Sequence, residues 1–578
     1  MAHFDAVDET TIVPYNSTTP MRLRLLPLCA VFFALPVFCQ TDKPLQELSQ
    51  EFWAWRATTQ PFNTDDIPRI ERPDGVKRSW SVQSVQDQRV KLLGFERRWK
   101  ELEPATRTPA QQVDYKLVGS ALARVRWELD WNRRWQRDPG FYIEQTLSPV
   151  QEVLAIPPPF TEAESEEIVS RLENIPSILD EARASLTEPV GPFANLAIDS
   201  LENVRPRLDV VKRDVMPLLV GDKAKAVFGP AIDKATAALE GYRAWLQQQM
   251  PSMRAQLSVG RDGYTFFLKN VALYPFTPED LLQMARQEWA RVVEYEQIEK
   301  NRNRNIPPLK TKATYEAERK DEMRDEAAIR KFLVNEHILS VPADFPHYVI
   351  NLMPAYLEAM DGWGEMDDFT GPSRLKANAV RWVPPPSDKL GYFPLANAKD
   401  FRLEIVHEGV PGHYFQMWLG WNHPDPIRRH YYDSGANEGI GFYGEEMMLQ
   451  AGLFDNSPHV REMTYNWARL RALRTEVDVK LALGEFTLEQ AADYLQRMVP
   501  MDPASAHDEA ASFATTPGQA ISYQTGKLQI TKFFADTRRA LGDKFDMNEF
   551  YDFVWKNGNV PIALQQWEWT EKHNSATK

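Results

Sequence analysis

Residues 407 to 413 read His-Glu-Gly-Val-Pro-Gly-His, two imidazoles six positions apart with a carboxylate beside the first. On a regular helix, residues four apart differ by about 40° in direction, whereas residues six apart differ by about 120°. An undistorted helix therefore cannot make His407 and His413 ligands of one ion. The sequence removes the regular helix at this point: Pro411 has no N–H for the carbonyl of His407 and its ring clashes there, while Gly409 and Gly412 tolerate unusual dihedrals. A bulged turn, or a helix ending near 409 with another starting at Pro411, brings both rings to one place.

Two histidines do not complete a site. After a turn-rich loop comes Asn-Glu-Gly-Ile-Gly-Phe-Tyr-Gly-Glu-Glu-Met from Asn437, a predicted helix capped by Asp433 or Ser434. Its Glu438 is the expected third ligand, giving a His₂Glu zinc site with an open position for water. The loop histidines His423 and His430 are the alternatives for that third position. Glu445, seven residues beyond Glu438 and on nearly the same face, is placed to orient a ligand. Glu408 follows the first histidine as in His-Glu-x-x-His hydrolases, where the carboxylate takes a proton from zinc-bound water. A metal here must rest on histidine and carboxylate, because both cysteines, Cys29 and Cys39, fall in the N-terminal segment and leave the expected mature chain without a thiol.

These motifs, with Pro-Gly-Gln-Ala-Ile-Ser-Tyr-Gln-Thr-Gly-Lys-Leu-Gln-Ile from Pro517, resemble the domain-of-unknown-function 885 family of mostly bacterial, often exported proteins. That family is similar to the gluzincin metallopeptidases, the mainly helical group of Taq-type carboxypeptidases and thimet-like oligopeptidases. The likeness covers most of the mature chain and is strongest from about 380 to 535. It implies His407, His413 and Glu438 as ligands of one zinc ion, Glu408 as general base, and Tyr523 as the hydroxyl that steadies a tetrahedral oxyanion. Gln519 and Lys527 are implied near Tyr523. The stretch Leu-Gly-Tyr-Phe-Pro-Leu-Ala-Asn-Ala around Tyr392 is implied to be a strand along the cleft, suited to pair with a peptide backbone. Two positions depart from the family: Tyr414 stands where a second histidine is common after the Pro-Gly-His, and Ile440 stands where the family has tryptophan.

Other groups near the motifs carry weaker expectations. One of Arg374, Arg381, Arg402, Arg428 and Arg429 would suit a substrate's terminal carboxylate, although all five read equally well as surface charges. Asp502, His507 and Asp508 form no nucleophilic set, since no nucleophile-elbow sequence accompanies them.

The chain of 578 residues, 43% hydrophobic and 11% aromatic, is that of a folded globular protein. A net charge of −14 with no long basic run excludes a nucleic-acid partner. From Met21, two arginines precede an apolar run ending near Cys39, the layout of a secretory signal that is too short for a stable membrane span. The expected location is secreted or periplasmic. Bulky Phe38 before Cys39 argues against lipid attachment.

Amphipathic helical patterning fills 41 to about 257, for example Leu45 to Trp55 and Val118 to Trp135, with breaks at proline clusters such as Ile156 to Phe160. The mixed-charge stretch from Tyr315 reads as a solvated helix face. Residues 341 to 399 turn proline-rich and β-favouring, which predicts a small sheet. The expected fold is mainly α, a large helical zincin-like body with a small β element lining the cleft. The expected division is an N-terminal extension and signal over 1–39, a helical scaffold over 40–260 and a metal-site region over 261–578, with 40–578 as one continuous domain in the alternative. The function expected is zinc-dependent hydrolysis of peptide or related amide bonds in short substrates. The rival is an exported helical binding protein whose metal is structural or absent. The oligomeric state is not legible.

Overall fold

Helix starts in this chain use one local device repeatedly. Thr161, Thr277 and Thr487 each accept a hydrogen bond from the backbone N–H three residues on, and Glu164, Asp280 and Gln490 at those positions bond back to the cap. Each pair satisfies two of the N–H groups that a helix start leaves without partners. The computed structural model describes residues 42–62, 70–102, 107–364 and 366–576. The signal segment expected at Met21 to Cys39 lies outside the described residues.

The protein is mainly α. In the first half, helices α1 (Pro139–Leu154), α2 (Glu162–Ser185) and α3 (Asp222–Gln249) pack side by side. They bury Leu147, Leu172, Leu179 and Leu239 in one large apolar cluster. The second half runs through α4 (Pro278–Asn303), α5 (Tyr315–Asn335), three short strands, α6 (Tyr392–Lys399), α7 (His413–Trp421), α8 (Ser434–Gln450), α9 (Pro458–Leu483), α10 (Pro503–Thr515) and α11 (Ser522–Leu541). The α4–α9 and α8–α11 pairs form the scaffold of the site.

The expected small sheet is present. Strands β1 (Tyr348–Leu352), β2 (Asp367–Asp368) and β3 (Ala379–Val383) lie in the order β1-β3-β2, with β1 parallel and β2 antiparallel to β3. Asp368 and Arg381, from β2 and β3, line the central cavity. No helix among the described residues is long and apolar enough to cross a membrane.

Two local expectations change. The pattern from Val118 to Trp135 is not one helix: a π-helical turn spans Trp127–Asn132, and Arg133 adopts a left-handed conformation at φ 51° before a short helix resumes. The extra residue in the wider turn buries Trp127 and Leu129 together. The mixed-charge helix α5 is not simply a solvated face either. Glu318, Glu322 and Glu326, spaced by four, form one stripe on α5, which packs on β1, and are 3%, 1% and 2% exposed. Glu326 is paired with Arg330 at 2.6 Å and His347 at 2.9 Å. Both carboxyl oxygens of Glu322 are buried without a hydrogen-bond partner.

Burial, reinforced by the charge of Glu326, pushes the Glu322 carboxyl up to about 8. Its folded-state value thus exceeds the ordinary 4.5, so its contribution to stability is complete below pH 4.5 and is lost as pH rises through about 8. Replacing it with the always neutral Glu322→Gln should flatten the fall in stability between pH 5 and pH 9 and gain on the order of 2 kcal/mol at pH 9. Urea melts of both proteins across that range would check this.

Candidate metal centre

The broken heptapeptide forms a π-helical turn over Ile405–Gly409, closed by Val410 N–H donating to the Ile405 carbonyl at 2.8 Å. Helix α7 then begins at His413. The chain doubles back tightly between them: a Cβ built on Gly412 would stand 1.7 Å from the His407 carbonyl oxygen. This wide turn and restart bring the two imidazole centroids to 4.7 Å, at 75° to each other.

Helix α8 delivers the third group. Asp433 caps it by accepting from Ala436 N–H at 3.0 Å. Glu438, one turn in, places Oε2 3.2 Å from His413 Nε2 and 3.7 Å from His407 Nε2. Zinc bonds of about 2.0–2.2 Å set tetrahedral ligand atoms about 3.3 Å apart, so this nitrogen–nitrogen–oxygen set has the right chemistry and close to the right spacing. Glu438 Oε2 is also buried and faces the Nε2 atoms of both histidines, a position that a cation shared by the three groups would suit. Glu408 Oε2 lies 4.0 Å from His413 Nε2, and its side chain is more exposed than those of both histidines and Glu438. With His407 and His413 it forms the alternative three-ligand group. Glu438 approaches His413 more closely, which favours it as ligand and leaves Glu408 free to face the cavity it lines.

The charges at the site would suit a cation. Burial and the guanidinium of Arg471 push His407 down, but the carboxylates of Glu438 and Glu445 outweigh them and hold it at about 9. The carboxylates that keep a proton on this ring would equally attract a metal ion. Glu438 is raised by burial and lowered more by the two histidines, ending well below the ordinary carboxylate range. Glu445, fully buried, meets His407 Nδ1 at 2.7 Å, the orienting position expected for it. Arg471 Nη2 sits 2.7 Å from Glu445 and neutralises it.

Tyr523 stacks at 12° and 6.3 Å from the His407 ring and lines the same cavity. Burial, then the charge of Glu438, raises its hydroxyl, so it remains a donor. Gln519 donates through Nε2 to Glu438 Oε1 at 3.3 Å. Behind this segment Asp478 is fully buried and accepts from Gly518 N–H and Ala520 N–H at 3.0 Å and from the Tyr264 hydroxyl at 2.8 Å. It pins the loop that carries Gln519 and leads to Tyr523. Arg471, Arg474 and Asp478 escaped the sequence reading, though their spacing of three and four within an apolar stretch of α9 is the signature of a buried polar stripe.

Two expected residues lie elsewhere. The Tyr392 segment is the short helix α6 and not a strand, because Asp502 accepts the Tyr392 N–H at 3.1 Å at the helix start. The Tyr392 hydroxyl donates to Asn466, and it is the neighbouring Phe393 that lines the cavity. Lys527 does not line it: its ammonium is held by Glu288 of α4 and Glu446 of α8, and two carboxylates outbid the pocket for a buried cation. Tyr414 donates to the Ala377 carbonyl at 2.9 Å, and Ile440 is in the core. His423 accepts from Asp425 N–H, and His430 stacks on Trp53, so neither competes with Glu438.

The site opens into a cavity of about 1200 Å³ whose far wall comes from the first half, including Phe62, Glu144 and Glu152 of α1 and Arg171 of α2. Among the described residues five arginines line it, and each is paired with a carboxylate: Arg72 with Glu152, Arg171 with Glu152 and Glu167, Arg374 with Asp368, Arg381 with Asp367, Arg474 with Glu509. Of the other expected clamps, Arg402 pairs with Asp400 and Arg428 with Asp114, while Arg429 bonds the His423 carbonyl.

Gly441 is the glycine that faces both imidazoles. A Cβ there would stand 2.9 Å from Cε1 of both His407 and His413. Gly441→Ala should therefore tilt both rings and weaken zinc binding about 10–100-fold, read by chelator competition, while thermal melting shifts by only a few degrees.

Comparison with known proteins adds the family and the fold. No curated protein matches the sequence. Among solved structures, a candidate lipoprotein of unknown function from Shewanella oneidensis superposes with a TM-score of 0.69 at 18% identity, covering 90% of this chain and 98% of that one. A candidate lipoprotein from Colwellia psychrerythraea gives 0.71 at 17%, covering 93% and 99%. The family model described as bacterial protein of unknown function (DUF885) matches residues 70–566, and the chain belongs to that family.

Proposed function

We propose that this protein is an exported, metal-dependent hydrolase of peptide or related amide bonds in short substrates, distantly related to the gluzincin metallopeptidases. The observation that carries the reading is the placement of Glu408, a carboxylate facing the cavity 4.0 Å from His413, beside the His407–His413–Glu438 set. A purely structural metal site has no use for it. His407, His413 and Glu438 would hold one divalent ion, zinc by ligand type, with manganese and cobalt compatible with the same donors. Such an ion supplies Lewis acidity, lowering the pKa of a water and polarising a carbonyl.

The chain's own groups supply the rest. Glu408 accepts the proton of the attacking water and returns it to the departing amine. Tyr523, kept neutral by burial, donates its hydroxyl hydrogen bond to the carbonyl oxygen as negative charge develops there. Glu445 fixes the ring of His407 through Nδ1, and Arg471 keeps that carboxylate compensated. The enclosing walls favour short substrates over folded chains.

Export rests on the arginine-led apolar segment at Met21 to Cys39. It gains support from the two structural relatives, both described as candidate lipoproteins.

The test begins with bound metal, measured by elemental analysis of protein purified without chelator, where about one ion per chain is expected. A library of mixed di- and tripeptides is then digested and followed by mass spectrometry. Glu408→Gln should retain the ion and lose about 10²–10⁴-fold in kcat. Equal turnover by both proteins would remove Glu408 from the mechanism, and a bound ion without any turnover would favour the binding-protein alternative.

A further inference from the structure

Next to the main cavity is a second, smaller chamber, outside the candidate metal centre. Gln519, the residue that touches Glu438, lines both spaces. Two neighbouring pairs also span the division: Pro61 faces the chamber and Phe62 the cavity, and along α1 Phe141 faces the chamber and Glu144 the cavity. The chamber therefore adjoins the site, with Gln519 between the two spaces.

Its walls are aromatic. Trp80 meets Phe141 edge to face at 5.0 Å, Trp127 packs on Phe267 at 5.1 Å, and Trp135 completes the lining. The polar groups in the wall already have partners: Glu128 holds Arg56, Arg134 holds Glu144 and Asp138, and Asn132 donates to the Thr515 carbonyl. One exception stands out, since the indole N–H of Trp80, a residue 2% exposed, has no hydrogen-bond partner. The space admits about 60 Å³ of water-sized centres. One water needs about 10–15 Å³ on that measure, so the chamber has room for a single ring, and apolar cavities of this kind take up aromatic molecules.

We propose that this chamber is the specificity pocket of the site, receiving an aromatic side chain adjacent to the bond to be cut, with Trp80 N–H as donor to a polar atom on that ring. The assignment rests on the hydrolase reading for its kinetic part, but occupancy of the chamber does not. A polar tip such as a phenol oxygen satisfies the buried N–H, which otherwise costs stability. Tyrosine side chains should therefore be preferred over phenylalanine, and both over alanine.

Two measurements test this. The first is a soak of crystals of the full chain with 4-bromophenol, locating bromine by anomalous scattering. The second compares kcat/KM for peptides differing only in one side chain: alanine, phenylalanine or tyrosine. Thr516 borders the chamber, so Thr516→Phe fills it from within. The expected result is a bromine peak among Trp80, Trp127 and Trp135, an aromatic-over-alanine preference of about tenfold or more, and loss of both peak and preference in Thr516→Phe. Should that variant fail to fold, Trp80→Phe, which keeps the ring but removes the donor, must lower tyrosine against phenylalanine. Bromine absent from the chamber, or a preference untouched by the variants, overturns the assignment. Bromine bound there with no peptide cleaved refutes the hydrolase reading and keeps the chamber as a ligand site.

Discussion

Helices α8 and α11 touch backbone to backbone, and the site depends on that contact. A Cβ on Gly439 would stand 2.5 Å from the Gly526 Cα, and one on Gly526 would stand 2.0 Å from the Gly435 carbonyl oxygen. No side chain fits between them. Glu438 precedes one glycine of this crossing and Tyr523 lies one turn before the other, so the contact sets both residues into the lining of one cavity. Any larger residue would push the helices apart by the width of a methyl group, more than a metal site tolerates.

The second constraint is electrical. Around His407 the fold buries Glu438 and Glu445 within a few ångströms, and a pair of desolvated carboxylates would be costly without compensation. Arg471 offsets part of that charge from the Glu445 side. The remaining deficit lies toward the cavity, where His407 carries its raised proton affinity. The same bias orients the ring: with Nδ1 committed to Glu445, Nε2 is turned toward Glu438 and the open space.

Much of the inner site was written in local sequence. Pro411 and Gly412 between two histidines spelled a backbone break, and the asparagine-glutamate-glycine start of α8 spelled a helix that another could approach closely. The small sheet was legible in the proline-rich, β-favouring stretch before 399. Tyr392 was not, because its strand-like neighbours are overridden by a cap from Asp502, 110 residues away. Lys527 lies on the same helix as Tyr523, one turn on, but its partners were not legible: Glu288 and Glu446, which hold it, come from two other helices. The first half read as scaffold or the wall of a cleft, but which of its residues face the cavity was invisible, since nothing local tells Phe62 or Glu152 that it will line the same space as His413.

That far wall has a bearing on how the molecule reaches its working state. The cavity joins Phe62, near the beginning of the described chain, to Tyr523, near its end, and bonds such as Gln46 to Asp425 and Arg428 to Asp114 tie the same distant regions. Contacts separated by hundreds of residues cost more chain entropy to close than local ones, and the enclosure of the pocket depends on them. A clipped chain that keeps the complete heptapeptide but has lost the first half would lack its enclosure.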